Sequence, residues 1–536
     1  MFNTTSTGLC TKMEFSRWQT LCYLILPILV ISLAKIPAAI TRCGSGKQDE
    51  HPSVYPRLWT LLVPRFILNL IFATNAAKLL EHGYQKFKNR TFQLVQIDKD
   101  VVVLPLSLLE ELSAIPSVIA SPHGALEHDL LGSYNGLDLV LETRLHHSIV
   151  QRKLTPRLGL ITPGLERELR TAFQACFPKC DGDWVEFQPY YALGAISARL
   201  SAYAIVGPAF CRDPAWLDIT FDYTENLFRT IVILRLFPSW MRPVVCRLLP
   251  SFWRNQHHIR AAKALLGPKI QELLDKNDNG SWSPQSTEDQ TNVLSWLIDT
   301  VKGKDRTPDT IAHVQVLLAL ASVHTTLLRI VNVLYDLTAN PELFNELRQE
   351  IETVTSDHKE FDIIPYEKLH KLDSVLRESQ RMSPPTVTGL KRLFRQPYTF
   401  QNGLRIPENT YVCMPVFAIE NDPVHTPNPD IFDGLRNYRI MMAQQDKKDD
   451  KSAEQFQFSS PGRTVLNFGY GKSACPGRFF ASLTVKMLFA KLLTEYEFKF
   501  LPGTGRPSNV IVHEFLFPWP WQKMLVRRKS EAVILP

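Results

Sequence analysis

Apolar residues recur along most of this chain every three to four positions, the spacing of helices that bury one face. Residues 106–303 carry this period almost throughout, with breaks near residues 121–124, 162–164, 180–183 and 277–284. Farther on, Thr307-Pro308-Asp309 supplies a capping hydroxyl, a proline for the first helical position and an acid for the first turn, while Asn340-Pro341 supplies a stop. That leaves a helix of about 30 residues. Ile311, Val314, Leu317, Leu318, Ala321, Leu328 and Val331 make it apolar on most sides, so it should cross a core. Strand signals are shorter. Phe92, Leu94, Val95 and Ile97 pair with residues 101–104 across Asp98-Lys99-Asp100, residues 387–400 pair with 404–415 around Asn402-Gly403, and residues 511–526 read as a strand hairpin. The predicted class is mainly α with small β-sheets.

The front of the chain changes this picture. Residues 18–34 are apolar apart from Gln19, Thr20 and Ser32, and Lys35, Arg42 and Lys47 follow. We read a signal anchor with a cytosolic body, so residues 1–50 are an N-terminal membrane anchor and linker and residues 51–536 the folded body. A cleaved signal peptide or a core helix are the alternatives, and no small-residue cleavage site follows the run. Asn3-Thr4-Thr5 would face the lumen as a glycan acceptor. Residues 58–74, broken by Pro64, Arg65 and Asn69, read as interfacial rather than spanning. Residues 236–253 set Phe237, Trp240, Leu248 and Trp253 among Arg242, Arg247 and Arg254, the composition of a membrane-dipping surface or of a core helix hairpin.

Composition narrows the class. At 536 residues and 45% hydrophobic the chain can bury a large core. Its nine cysteines follow no repeated spacing, which argues for a reducing compartment rather than a disulfide framework. A net charge of +7 suits an acidic partner or an anionic membrane, and no basic tract interleaved with aromatics points to nucleic acid.

The candidate chemistry centres on residues 468–481, Phe-Gly-Tyr-Gly-Lys-Ser-Ala-Cys-Pro-Gly-Arg-Phe-Phe-Ala. Small and ring residues around Cys475 permit a tight loop and the approach of a flat partner, and a helical period begins at Arg478, whose N-terminus would favour a thiolate. With no Cys or His at metal-finger spacing beside it, such a thiolate suits a haem iron, although an ordinary buried cysteine is the competing reading. In the long helix, residues 321–326 form a polar island, where Thr325 and Thr326 either serve a site or bond to their own helix. Glu378 and Arg381 share a helix face, and Arg436 follows in a proline-flanked loop from which it could join them in a buried network. His146 and His147, being adjacent, point to different helix faces and read as surface residues rather than a metal pair.

The cysteine loop resembles the haem-binding loop of the cytochrome P450 family, in which Phe, two residues, Gly, three residues, Cys, one residue and Gly recur; Phe468, Gly471, Cys475 and Gly477 stand at those places. With the long-helix threonine and the Glu-Arg-Arg order, the resemblance covers nearly the whole chain. It implies the P450 fold behind the N-terminal anchor, and haem b (iron protoporphyrin IX) with Cys475 as axial thiolate. Ser473 stands where the family commonly has Arg or His, and His147 and Gln151 where it commonly has Trp and Arg, leaving Lys472, Arg152, and Arg392 or its neighbour Lys391, to hold the propionates. Thr325 matches the oxygen-activation hydroxyl. Ser322 and His324 replace the usual glycine and acid, which puts His324 or a water in the relay. Glu378, Arg381 and Arg436 match the triad that positions the thiolate loop, and residues 385–388 and 515–517 match walls of the substrate pocket.

The implied activity is a monooxygenase of the endoplasmic reticulum membrane that inserts one atom of O₂ into a C–H bond of a small apolar substrate. Electrons would come from NADPH through a P450 reductase docked near Lys472 and Arg478. His324-Thr325-Thr326 resembles fungal members acting on terpenoid-type secondary metabolites. The alternatives are an isomerase, dehydratase or desaturase of the same family, or a non-catalytic haem-binding membrane protein.

Overall fold

The computed structural model describes residues 51–180, 182–284, 290–356, 363–445 and 453–530. The candidate anchor at 18–34 and the Asn3 glycan site lie outside them.

The long helix forms as the sequence predicts, over Pro308–Ala339, and the Thr307 hydroxyl accepts from the Thr310 N–H (3.2 Å) as its cap. It is buried on nearly every side, packed by helices Pro189–Val206, Pro214–Leu234, Pro250–Asp278 and Arg478–Glu495. Among the described residues it alone is long and apolar enough to cross a membrane, but its burial makes it the core rod of the helical body.

The sheets are small and sit beside this body. The largest runs in the order Phe92–Leu94, Val101–Val103, Tyr411–Met414, Gly389–Phe394, Ala120–Ser121, antiparallel except where Val102 faces Val412. A second sheet places Met524–Arg528 between Val185–Phe187 and Tyr496–Phe500. Two hairpins complete the set among the described residues, Tyr398–Thr399 with Arg405–Ile406 and Val510–Val512 with Phe515–Phe517. Gly403, at φ +86°, makes the predicted Asn402-Gly403 turn.

Three expectations change. The predicted strands over 387–400 and 404–415 each break in two, because the chain leaves one sheet to form the small hairpin at Asn402-Gly403. The tail is not one hairpin, since Met524–Arg528 joins the second sheet. Val185–Phe187, three residues in a helical stretch, is too short for a period-2 signal.

Pro64 divides the apolar stretch near 58–74 between helices Arg57–Leu62 and Arg65–Phe87, each of which begins just after a proline. Trp59, Leu62, Phe66, Ile67 and Leu70 are left exposed there. In the 236–253 stretch Trp240, Val244, Leu248 and Trp253 are exposed while Phe237, Cys246 and Leu249 pack inward, an amphipathic shelf rather than a fully buried hairpin.

Candidate active site

The cysteine loop is shaped by two glycines in the left-handed region, Gly469 (φ +78°) and Gly471 (φ +58°). A Cβ on Gly469 would sit 2.7 Å from the Ser473 carbonyl oxygen, so no side chain fits there. The Cys475 N–H donates to Phe468 O (2.7 Å), closing the loop, and a 3₁₀ turn at Gly471–Ser473 precedes the cysteine. Helix Arg478–Glu495 starts three residues later. Burial pushes the Cys475 thiol up, while the N–H groups of Gly477 and Arg478 and the Arg478 charge act the other way. A thiolate in this position therefore gains most when a cation ligates it.

Cys475 opens into a cavity of about 870 Å³. The loop contributes Phe468, Lys472 and Gly477 to its lining, and the long helix contributes Ala321, Ser322, Thr325 and Thr326. Val150, Leu154, Ile205, Leu317, Val485 and Leu516 make the rest largely apolar. The Thr325 hydroxyl faces this space and donates to Ala321 O (2.6 Å), so in this state it bonds to its own helix. Ser322 meets Ser201 at 2.8 Å between hydroxyls.

His324 requires a correction. It does not line the cavity: its ring packs on Phe221 (centroids 4.6 Å apart) with both nitrogens buried and unpaired, and burial holds its pKa at about 3. One residue along a helix is a rotation of about 100°, which carries position 324 away from the face of Thr325. Packed on Phe221 outside the cavity lining, the ring is not placed to relay a proton there.

The basic residues gather at one group of elements. Arg392 lines the cavity, is 3% exposed, and donates to Ser473 Oγ (2.8 Å); burial lowers its pKa to about 10. Lys472, Arg144, His123, His146 and His147 line the cavity as well. Arg152 does not. It lies exposed on the π-helical turn Val150–Leu154, which turns Val150 and Leu154 inward instead. The histidine pair, expected at the surface, is thus a wall of the cavity, and Arg144 lines it where Arg152 does not. Lys391 also turns away, into a buried network with Asp129 (2.6 Å) and Glu514 (3.1 Å). Of residues 385–388 only Pro385 lines the cavity, and of 515–517 only Leu516, which in strand Phe515–Phe517 faces opposite to its neighbours.

Behind the loop, Glu378 accepts from Arg381 at 3.0 and 2.7 Å and from Arg436 Nε at 3.3 Å, and its side chain is 0% exposed. The same helix, His370–Met382, reaches the cysteine loop: Asp373 accepts the Phe458 N–H (2.8 Å), and the Phe458 ring meets Phe468 edge-on at 5.2 Å. Asp373, which the sequence marks as preceding this helix, lies within its first turn, and sequence reasoning missed its buried partner Lys486 (2.7 Å), whose only signal is a charge in an otherwise apolar helix period.

A cysteine open to the cavity with Gly477 beside it, apolar walls and a basic rim for carboxylates together fit an iron porphyrin, with Cys475 as ligand and Arg392, Arg144 and Lys472 at the rim. Residues 220–525 match the family model described as Cytochrome P450. Similar proteins include cytochrome P450 monooxygenase AN1598 of Emericella nidulans, 36% identical over 492 residues (92% of this chain, 90% of the relative). Ent-kaurene oxidase of Gibberella intermedia is 32% identical over 471 residues (87% and 86%), and cytochrome P450 monooxygenase AtmP of Aspergillus flavus 32% identical over 477 (88% and 89%). Among solved structures, cyanobacterial CYP120A1 with retinoic acid bound aligns with a TM-score of 0.62 at 19% identity, covering 86% of this chain and 96% of its own, a likeness of fold alone. Fold, cysteine loop and relatives agree, and the chain belongs to the cytochrome P450 monooxygenases, enzymes built on a haem with a cysteine thiolate ligand.

Proposed function

We propose that this chain inserts one oxygen atom from O₂ into a C–H bond of an apolar, terpenoid-derived secondary metabolite. The observation that carries the reading is the juxtaposition, in one largely apolar cavity, of the Cys475 thiol with the Thr325 hydroxyl. Bound haem would supply the O₂ chemistry. The chain's own residues do the rest: Cys475 ligates, Arg392, Arg144 and Lys472 orient the cofactor, and the apolar walls exclude water and hold the substrate by shape. Thr325 can break its bond to Ala321 O and offer its hydroxyl proton to the cavity. With His324 turned away, that hydroxyl and ordered water are the route for protons.

The terpenoid assignment draws on relatives such as ent-kaurene oxidase. Electrons come from NADPH through a P450 reductase that docks near Lys472 and Arg478, both next to the ligand cysteine. Residues 1–50 anchor the enzyme in the endoplasmic reticulum membrane, with 51–536 as a cytosolic catalytic domain, and the exposed apolar residues around Trp59 and Trp240 lie against the bilayer. The test is reconstitution with reductase and candidate terpenoid scaffolds. A hydroxylated product formed in step with NADPH and O₂ consumption supports the reading. Product formed without O₂ consumption would assign an isomerase or dehydratase instead.

A further inference from the structure

Three imidazoles meet at the cavity's basic rim. His123 comes from the first turn of helix Pro122–Leu130, and His146 and His147 come from helix Leu145–Ile149. The His123 ring lies 5.9 Å from His146 and 6.4 Å from His147, both edge-on. Nδ1 of His146 is buried with no hydrogen-bond partner. All three line the cavity beside Arg144 and Arg392.

The groups acting on these rings are guanidinium groups and the other imidazoles, each of which opposes protonation. Arg144, His147, Arg392 and Arg395 act on His123, His123 and His147 act on His146, and Arg144 acts on His147; no carboxylate is among them. Burial, followed by this repulsion, keeps the rings neutral, with His146 lowered to about 4. A porphyrin with two ionised carboxylates brings the counter-charge that is missing, and a carboxylate within reach of an imidazole favours its protonated form.

We propose that His123, His146 and His147 form a proton-accepting cradle for the porphyrin carboxylates, so that seating the haem draws protons from solvent and its retention weakens as pH rises. The inference rests on the haem assignment of this cavity. The sign follows from linkage: between the low pKa of the free cluster and the raised pKa of the carboxylate-paired cluster, the bound state holds more protons, so binding favours lower pH. Ligation by Cys475 works in the opposite sense, because a thiol must lose its proton. That contribution is common to wild type and histidine variants, and a comparison removes it.

The test follows haem transfer from the purified full-length holoprotein to excess apomyoglobin between about pH 6 and about pH 8. Relative to His123→Gln/His146→Gln/His147→Gln, wild type should retain haem longer at the acid end. That advantage should shrink by up to about tenfold per pH unit for each linked proton. Equal rates at all pH values, or a constant ratio between the two proteins, would overturn the proposal. Should the triple variant not accumulate, His146→Gln alone should show part of the same pH-dependent difference. A carbonyl sulfur-ligated haem spectrum in each protein keeps failure of the cradle distinct from failure of the haem assignment.

Discussion

Replacing Glu378 by alanine removes the one acceptor shared by two buried guanidinium groups. Arg381 and Arg436 are 7% and 13% exposed in their side chains, so neither can turn to water without disrupting the segment it holds. Removing one partner of a buried ion pair costs about 3–5 kcal/mol. Arg381 keeps Pro429 O (2.8 Å), and Arg436 keeps Ile431 O (3.2 Å), which favours the lower end of that range. Unfolding entropy of about 2.1 cal/mol/K per residue over 536 residues gives about 1.1 kcal/mol per kelvin, so the melting temperature should fall by about 3 °C. Because helix His370–Met382 also holds Phe458 against the cysteine loop, haem loss to apomyoglobin should quicken in the same variant. Replacing all three charges, Glu378→Leu/Arg381→Met/Arg436→Met, should recover part of the lost stability, since the cost lies in unpaired buried charge. A melting temperature within 1 °C of wild type for Glu378→Ala, or a triple variant less stable than the single, would refute this account of the triad.

Other outcomes follow from the same geometry. Thr325→Ala should divert electrons into peroxide at the expense of product while changing the melting temperature by no more than about 1 °C, because it removes only a bond within its own helix; peroxide formed per NADPH is the measurement. His324→Asp, which restores the family's acid in sequence, should not improve that ratio and should cost several kcal/mol, since it places a carboxylate against Phe221 in an apolar wall. Lys391→Met leaves Asp129 and Glu514 facing each other in the interior. Burial alone would raise both, and Lys391 and Arg235 together hold them below the usual carboxylate range. Their contribution to stability is therefore present above the unfolded carboxylate pKa of about 4 and lost as pH falls through the lower folded values. The variant's deficit should be near 3 kcal/mol at neutral pH and narrow below about pH 5, read from thermal melts across that interval.

What the sequence made legible is local. The cysteine loop announces itself because Gly469 and Gly471 hold backbone angles that other residues avoid, and the long helix because Thr307, Pro308 and Asn340 mark its ends. Glu378 and Arg381 stand out because three residues along a helix is a contact distance. Direction was harder. Thr325 and His324 are neighbours that face different ways by one helical step, and the π-helical turn Val150–Leu154 turns Val150 and Leu154 toward the cavity and leaves Arg152 outside. Least legible were contacts between distant segments, such as Asp129 with Lys391 and Glu514, or His123 with His146, which no period encodes.

The central claim is that the sulfur of Cys475 ligates a haem iron. It is tested most directly by reducing the purified protein, exposing it to carbon monoxide, and comparing wild type with Cys475→Ala. Wild type should give the long-wavelength Soret band of a sulfur-ligated haem, and the variant should lack it. Wild-type protein that carries haem yet shows no such band, or a variant that keeps it, would contradict the account.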